Sequence, residues 1–203
     1  MYERSLASLL AEEQNVFVID TSNEIAGNGD IPHCCIGNAR RMMVKSLQSQ
    51  AKTMIECVQN HTPHAMVIDE IGRKEEVRAA QTSKDRGVRM IASAHGDLRK
   101  LVNNVELKGL IGGTESVTLG DEEARKRGSK STTNGLQKQM TVRAGKPIFD
   151  IIIELKRGQL NEWNVICNVG KAVDDILNGH QYTVQKRMRC MNSGRIFVEK
   201  QKH

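Results

Sequence analysis

Aromatic residues are scarce in these 203 residues: one Trp, two Tyr and three Phe, 3% of the chain. A core built without them falls to Val, Ile, Leu and Met, and a surface without them lacks the stacking platforms that single-strand nucleic-acid binders use. No run approaches the roughly 18 apolar residues of a membrane span. The first residues carry no apolar signal-peptide core, and Glu3, Glu12 and Glu13 argue against an acid-poor transit peptide there. The five cysteines, Cys34, Cys35, Cys57, Cys167 and Cys190, are odd in number and lack metal-ligand spacing. The adjacent Cys34-Cys35 pair also makes a poor structural disulfide, so a reducing compartment and no zinc ligand are expected. No internal repeat occurs.

Hydrophobic residues at 38% and charged residues at 27% describe a globular chain long enough for one main domain. Its net charge of +6 is uneven. Residues 1–124 carry 14 Lys/Arg against 18 Asp/Glu, whereas residues 125–203 carry 16 against 6. An anionic partner is therefore a question for the last third alone, where Lys186, Arg187 and Arg189 cluster.

The chain is organised around His64 to Gly72, in which Met66, Val67 and Ile68 run directly into Asp69 and Glu70. A short apolar run bounded by Pro63 and Gly72 predicts a strand buried on both faces of a parallel sheet. Its acids then stand at the carboxyl edge, where open α/β sheets bind ligands. This is a Walker-B-like arrangement, in which the first acid holds Mg²⁺, directly or through water, and a neighbouring acid orients the attacking water. Val16–Asp20 and Val88–Ala94 are two further buried-strand candidates, followed by a loop bearing Glu24 and by His95. Because βαβ connections make successive strands parallel, all three ends are predicted on one edge. Taken singly, Glu24 reads as an exposed loop acid and His95 as a structural histidine; their convergence with Asp69 and Glu70 is what points to a site.

Around these strands, apolar spacing predicts helices over residues 1–14, with Tyr2, Leu6, Leu9 and Leu10 on one face, and near 51–61, 73–86 and 98–105. Gly37 to Lys45 reads as an Arg-rich linker whose Arg40 and Arg41 either reach phosphate or stay solvated. Ser116–Leu119 reads as a fourth strand and 125–145 as a polar, basic linker. A hairpin is predicted from 149–155 and 163–169, then a short helix at 172–177 and an edge strand at 195–199. The predicted domains are a core at 1–124, the linker, and a β-rich basic extension at 146–203.

Five stretches in order, Thr21 to Gly27, Gly29 to His33, Met66 to Gly72, Ala94 to Gly96 and Ser116 to Asp121, together resemble the plastid and cyanobacterial hypothetical-frame ATPases of the AAA type. That family is related to stage III sporulation protein AA and, more distantly, to secretion ATPases. The resemblance covers roughly residues 1 to 180. It implies a three-layer α/β RecA-like P-loop NTPase core in which strand 65–69 lies between the other two, a small β-rich C-terminal extension, ATP and Mg²⁺ as ligands, and a plastid location. By the resemblance Glu24 belongs to the acidic box, Asp69 and Glu70 to Walker B, and His95 to a histidine box that senses the γ-phosphate. The family's first strand and its loop ending in Gly-Lys-Thr do not occur in this sequence. The chain therefore resembles a family member lacking Walker A, and it is expected to be inactive by itself.

Three functions fit these residues. The first is an ATPase of the secretion-related type, present without its phosphate loop, with Asp69 on the metal, Glu24 or Glu70 on the water, and His95, Arg40 and Arg41 toward phosphate. The second is a non-catalytic module assembling, as a homo-oligomer or ring, with intact paralogues. The third is a nucleic-acid-binding protein acting through its basic C-terminal third, which the scarcity of aromatics disfavours.

Overall fold

The computed structural model describes residues 2–118 and 139–203 and divides into two compact units, Met1–Asp97 with Asn104–Leu110 and Leu98–Asn103 with Ile111–His203. The first unit holds α1 (Tyr2–Leu10), β1 (Val16–Asp20), β2 (Arg40–Met43), α2 (Gln50–His61), β3 (Ala65–Ile68), α3 (Lys74–Asp85) and β4 (Arg89–Ala92). Its four strands form a parallel sheet in the order β2-β1-β3-β4. Strand β3 thus lies between β1 and β4, the order that the family resemblance implies.

Side-chain alternation along the strands supplies a core on each face of this sheet. Val16, Val18, Ala65 and Val67 cluster with Ala7 of α1 and with Ala11 just after it, and Leu10 packs against them. Phe17, Ile19, Met66 and Ile68 are buried on the opposite side, and Met54 and Cys57 of α2 and Val77 and Ala80 of α3 are buried as well. Helix α2 touches β1, α3 touches β4, and the two helices pack on one another.

Three details differ from the sequence reading. The face of α1 toward the strands carries buried Ala7 and half-buried Leu10, continued by buried Ala11 just after the helix, whereas Leu6 and Leu9 are exposed. The linker around Arg40 and Arg41 is an added edge strand, β2, with Arg41 opposite Val18. Strand β4 is the other edge and only partly covered, so its apolar run marks a strand without marking full burial.

The second unit contains α4 (Leu98–Asn103), a ribbon of β5 (Thr114–Thr118) and β6 (Gln139–Arg143), and an antiparallel sheet. The sheet runs β10-β9-β8-β7, built from β7 (Ile152–Leu155), β8 (Glu162–Ile166), β9 (Thr183–Arg189) and β10 (Ile196–Lys202). Strands β7 and β8 form the predicted hairpin, in register Ile152 with Ile166. Helix α5 (Val169–Leu177) is capped by Asn168, whose side chain accepts the Lys171 N–H at 2.9 Å. The predicted fourth strand pairs with β6 and not with the parallel sheet. Of the expected linker 125–145, residues up to 138 lie outside the described residues, and 139–143 form β6.

Arg143 grips Asp174 with two parallel hydrogen bonds of 2.9 Å, joining β6 to α5. The basic cluster of β9 is engaged nearby: Lys186 pairs with Glu162 at 3.0 Å, Arg187 donates to Gln185 at 2.9 Å, and Arg189 lies 5.8 Å from the Trp163 ring centre. Among the described residues no helix is long and apolar enough to cross a membrane.

Candidate active site

Parallel registry decides what meets at the carboxyl edge of the first sheet. Ile19 is opposite Ile68, and Ile68 is opposite Ala92, so the chain leaves three neighbouring strands at Asp20, Asp69 and Ser93. Asp20 and Asp69 are both buried, at 1% and 5% exposure.

Asp20 is satisfied. One carboxylate oxygen accepts the Glu24 N–H at 3.1 Å, and the other accepts those of Ile25 and Ala26 at 3.0 and 2.7 Å. These bonds curl residues 21–26 back over the strand end and place Glu24 on this edge, exposed. From β2, Arg41 holds the next part of the loop, donating to the carbonyls of Gly27 and Gly29 at 2.5 Å each. Arg4 of α1 donates to the Glu24 carbonyl.

Asp69 is not satisfied. Its carbonyl accepts from the buried Gln50 side chain at 2.5 Å, and its carboxylate receives the Ser22 N–H, yet Oδ2 is buried without a hydrogen-bond partner. Desolvation by burial first, and then the Asp20 charge, push its acid above the usual carboxylate range; the Ser22 bond pulls it back, and Glu70 and Glu24 add to the rise. Glu3, reaching the same edge from the first turn of α1, is also pushed up by burial and by Asp69 and Asp20, against a hydrogen bond to Ser93.

Glu70 turns outward in a left-handed conformation, φ 46°, that a non-glycine residue adopts only where neighbours fix it. Two bonds fix it here. The Glu70 N–H donates to Ser93 Oγ at 3.0 Å, and the next N–H, of Ile71, donates to the Ser93 carbonyl at 2.8 Å. The side chain is then 2.5 Å from His95 Nε2, with the histidine 90% exposed and the glutamate half exposed. An ionised carboxylate only accepts, so Nε2 carries the proton and points its positive end toward the acid. Behind the turn, the buried Glu76 of α3 accepts the N–H groups of Gly72 and Arg73 at 2.8 and 3.0 Å, which fixes the start of that helix.

The edge therefore brings together Glu24, Asp69, Glu70 and His95, and adds Asp20, Glu3 and Ser93. Arg40 and Arg41 are not brought to these acids. Arg41 is spent on the loop carbonyls, and Arg40 lies 5.8 Å from the centre of the Phe17 ring. That ring belongs to a residue three positions, about 10 Å, short of the strand end. A divalent cation fits what remains: Asp69 Oδ2 is an oxygen donor of the hard type Mg²⁺ takes, lacks a proton donor, and stands among further carboxylates.

The family model described as sporulation stage III, protein AA, matches residues 11–118, which takes in the whole parallel sheet and its carboxyl edge. The chain belongs to that family. Similar proteins include an uncharacterized protein ycf45 of Porphyra purpurea, 45% identical over 97% of this chain, and an uncharacterized protein ycf45 of Cyanidium caldarium, 39% identical over 93%. The protein SEEDLING PLASTID DEVELOPMENT 1 of Arabidopsis thaliana is 45% identical over 87%. This sporulation stage III AA family chain spans 34%, 55% and 25% of those three relatives' lengths, respectively. No solved structure matches it.

Sequence reasoning missed Glu3, Ser93 and the anchoring work of Asp20 in this family member. Asp20 did carry a signal, since an acid ending a buried apolar run needs partners and the following polar loop offers N–H groups. Glu3 and Ser93 carried none, because a helical acid and a serine beside a strand end are ordinary on any surface.

Proposed function

We propose that the parallel-sheet unit is the metal- and water-handling part of a RecA-like ATPase site, acting on Mg·ATP. The observation that carries this reading is the buried, unpartnered Asp69 Oδ2 at the end of the central strand, beside the exposed Glu70–His95 pair. Asp69 would hold Mg²⁺, directly or through water, and the cation would supply positive charge to the phosphate oxygens and to the acids. Glu70 or Glu24 orients the attacking water, with His95 holding Glu70 until a γ-phosphate oxygen competes for Nε2–H. Asp20, Gln50 and Ser93 hold these groups in place. The name of the Arabidopsis relative supports a plastid setting.

No Gly-Lys-Thr loop occurs in the 203 residues. Without those N–H groups and that lysine, a triphosphate would meet mainly carboxylates. The chain alone is therefore expected to bind ATP poorly and turn it over negligibly. Joined to an upstream strand and a Gly-rich loop of the P-loop type, it should hydrolyse ATP in a Mg²⁺-dependent way. In that protein Glu70→Gln and Glu24→Gln identify the water-orienting acid as the one whose loss abolishes turnover while nucleotide binding persists. The alternative reading is a non-catalytic module assembling with intact paralogues. Failure of the joined protein to bind nucleotide would put that reading first, and brisk hydrolysis by the 203-residue chain would overturn this account of how phosphate is held.

A further inference from the structure

Cys34 and Cys35 open a 3-10 turn, Cys34–Ile36, whose N-terminal cap is His33. The His33 Nδ1 accepts the Cys35 N–H at 3.1 Å and lies 4.0 Å from Cys34 Sγ. A nitrogen that accepts carries no proton, so Nδ1 offers the lone pair that a metal takes, occupied here by the Cys35 N–H and with Cys34 Sγ beside it. One ligand atom from each of these three residues lies within 4.8 Å of the other two. All three residues are exposed, and both thiols are free.

The backbone beneath them is anchored. Ile36 is buried at 1% exposure, and Gly37 follows at φ 58°, where a Cβ would stand 2.6 Å from Ser8 Oγ. The His33 N–H donates to the Ala26 carbonyl at 2.7 Å, inside the loop whose amides Asp20 binds. The three donors thus sit on a fixed turn, and only exposed side-chain torsions need to move.

The geometry points to a surface Zn²⁺ site formed by His33, Cys34 and Cys35, with water in the fourth position. Tetrahedral zinc with bonds of about 2.3 Å to sulfur and 2.0 Å to nitrogen holds its donors roughly 3.5–3.8 Å apart. The group therefore has to close by about an ångström, which rotation of two exposed cysteine side chains supplies. Two thiolates and an imidazole select zinc over the hard cations that the carboxyl edge would take. Binding releases two thiol protons to solvent, and water replaces His33 as acceptor for the Cys35 N–H. The sequence hid the site because its ligands are consecutive, whereas zinc patterns are recognised by cysteines spaced two to four residues apart.

The test is titration of the reduced, metal-free 203-residue chain with Co²⁺, read by thiolate-to-cobalt charge transfer and tetrahedral visible bands, followed by displacement with Zn²⁺. One equivalent per chain is expected. Cys34→Ser and Cys35→Ser should each lose the charge-transfer signal and weaken Zn²⁺ binding about tenfold or more, with unchanged circular dichroism. The double variant Cys167→Ser/Cys190→Ser should bind as the parent does. Retention of the signal in Cys34→Ser and Cys35→Ser, its loss in the Cys167/Cys190 variant, or no thiolate signal at all would each overturn the site. Tight Cu⁺ binding without Zn²⁺ binding would overturn the choice of metal.

Discussion

Replacing Asp69 by Asn should make the metal-free protein more stable. Burial and the neighbouring Asp20 raise the Asp69 pKa in the folded chain, so the native state binds more protons than the unfolded state between the ordinary Asp value, near 3.9, and the raised one. Stability therefore falls as pH rises through that window, and above the folded pKa the whole deficit is present. Asn keeps an oxygen for the Ser22 N–H, removes the charge, and offers its amide protons to the surrounding carboxylates. A buried polar group left without a partner costs about 1–3 kcal/mol, and removal of the charge should recover much of that. For a chain of this size, each recovered kcal/mol corresponds to roughly 2–4 °C in melting temperature.

The assay is a thermal melt of parent and Asp69→Asn, in chelator and in excess Mg²⁺, at neutral pH and at pH 4. In chelator at neutral pH the variant should melt higher, and the gap should narrow at pH 4 as the parent's carboxyl takes up its proton. Added Mg²⁺ should raise the parent's midpoint and leave the variant's unchanged. A variant that melts below the parent in chelator would refute the reasoning, because Asp69 would then be satisfied in a way that the unpartnered Oδ2 denies.

Glu76→Ala should cost about 2 kcal/mol in urea denaturation, since it strips the acceptor from two N–H groups at the start of α3. Thr62→Gly should stabilise by about 1 kcal/mol in the same assay, because Thr62 ends α2 in a left-handed conformation, φ 44°, where a β-branched side chain is strained. The Cys57 thiol, pushed up to about 12 by burial, should resist alkylation in the native protein at pH 8 while the exposed Cys34, Cys35 and Cys167 react; mass spectrometry of the labelled chain checks it.

What the sequence made legible was whatever burial wrote into it. Val16–Asp20 and Ala65–Ile68 are strands buried along their length, and an uninterrupted apolar run is their signature. Strand β2 is Arg-Arg-Met-Met at a sheet edge, with no fully buried position, so nothing in its composition separated it from a linker. The basic stretch Lys186 to Arg189 concealed a strand in the same way: long side chains laid along a sheet surface read as a charge cluster until Glu162 and Trp163 stand beside them. The carboxyl-edge acids were legible because each follows a strand whose end was legible. Ser93 was not, because its Oγ and its carbonyl act on the N–H groups of Glu70 and Ile71, which follow the preceding strand more than twenty residues earlier.

Asp20 and Asp69 show why adjacent acids in one register must be separated by their partners and not by their positions. Both end buried strands, and their strands are neighbours. After Asp20 the chain bends back and brings three N–H groups to the carboxylate, whereas after Asp69 it leaves through the left-handed Glu70, whose own N–H goes to Ser93. One carboxylate therefore closes a loop, and the other stays available to a cation. The same Asp→Asn change should then act with opposite signs. In Asp20→Asn an NH₂ group replaces one oxygen and faces donors, losing one or two charge-assisted bonds of about 1.5–3 kcal/mol each, so the chain should melt several degrees lower with or without Mg²⁺. Equal shifts for the two variants would mean that the edge treats its aspartates alike, and the division of labour between a loop anchor and a metal ligand would fail with it.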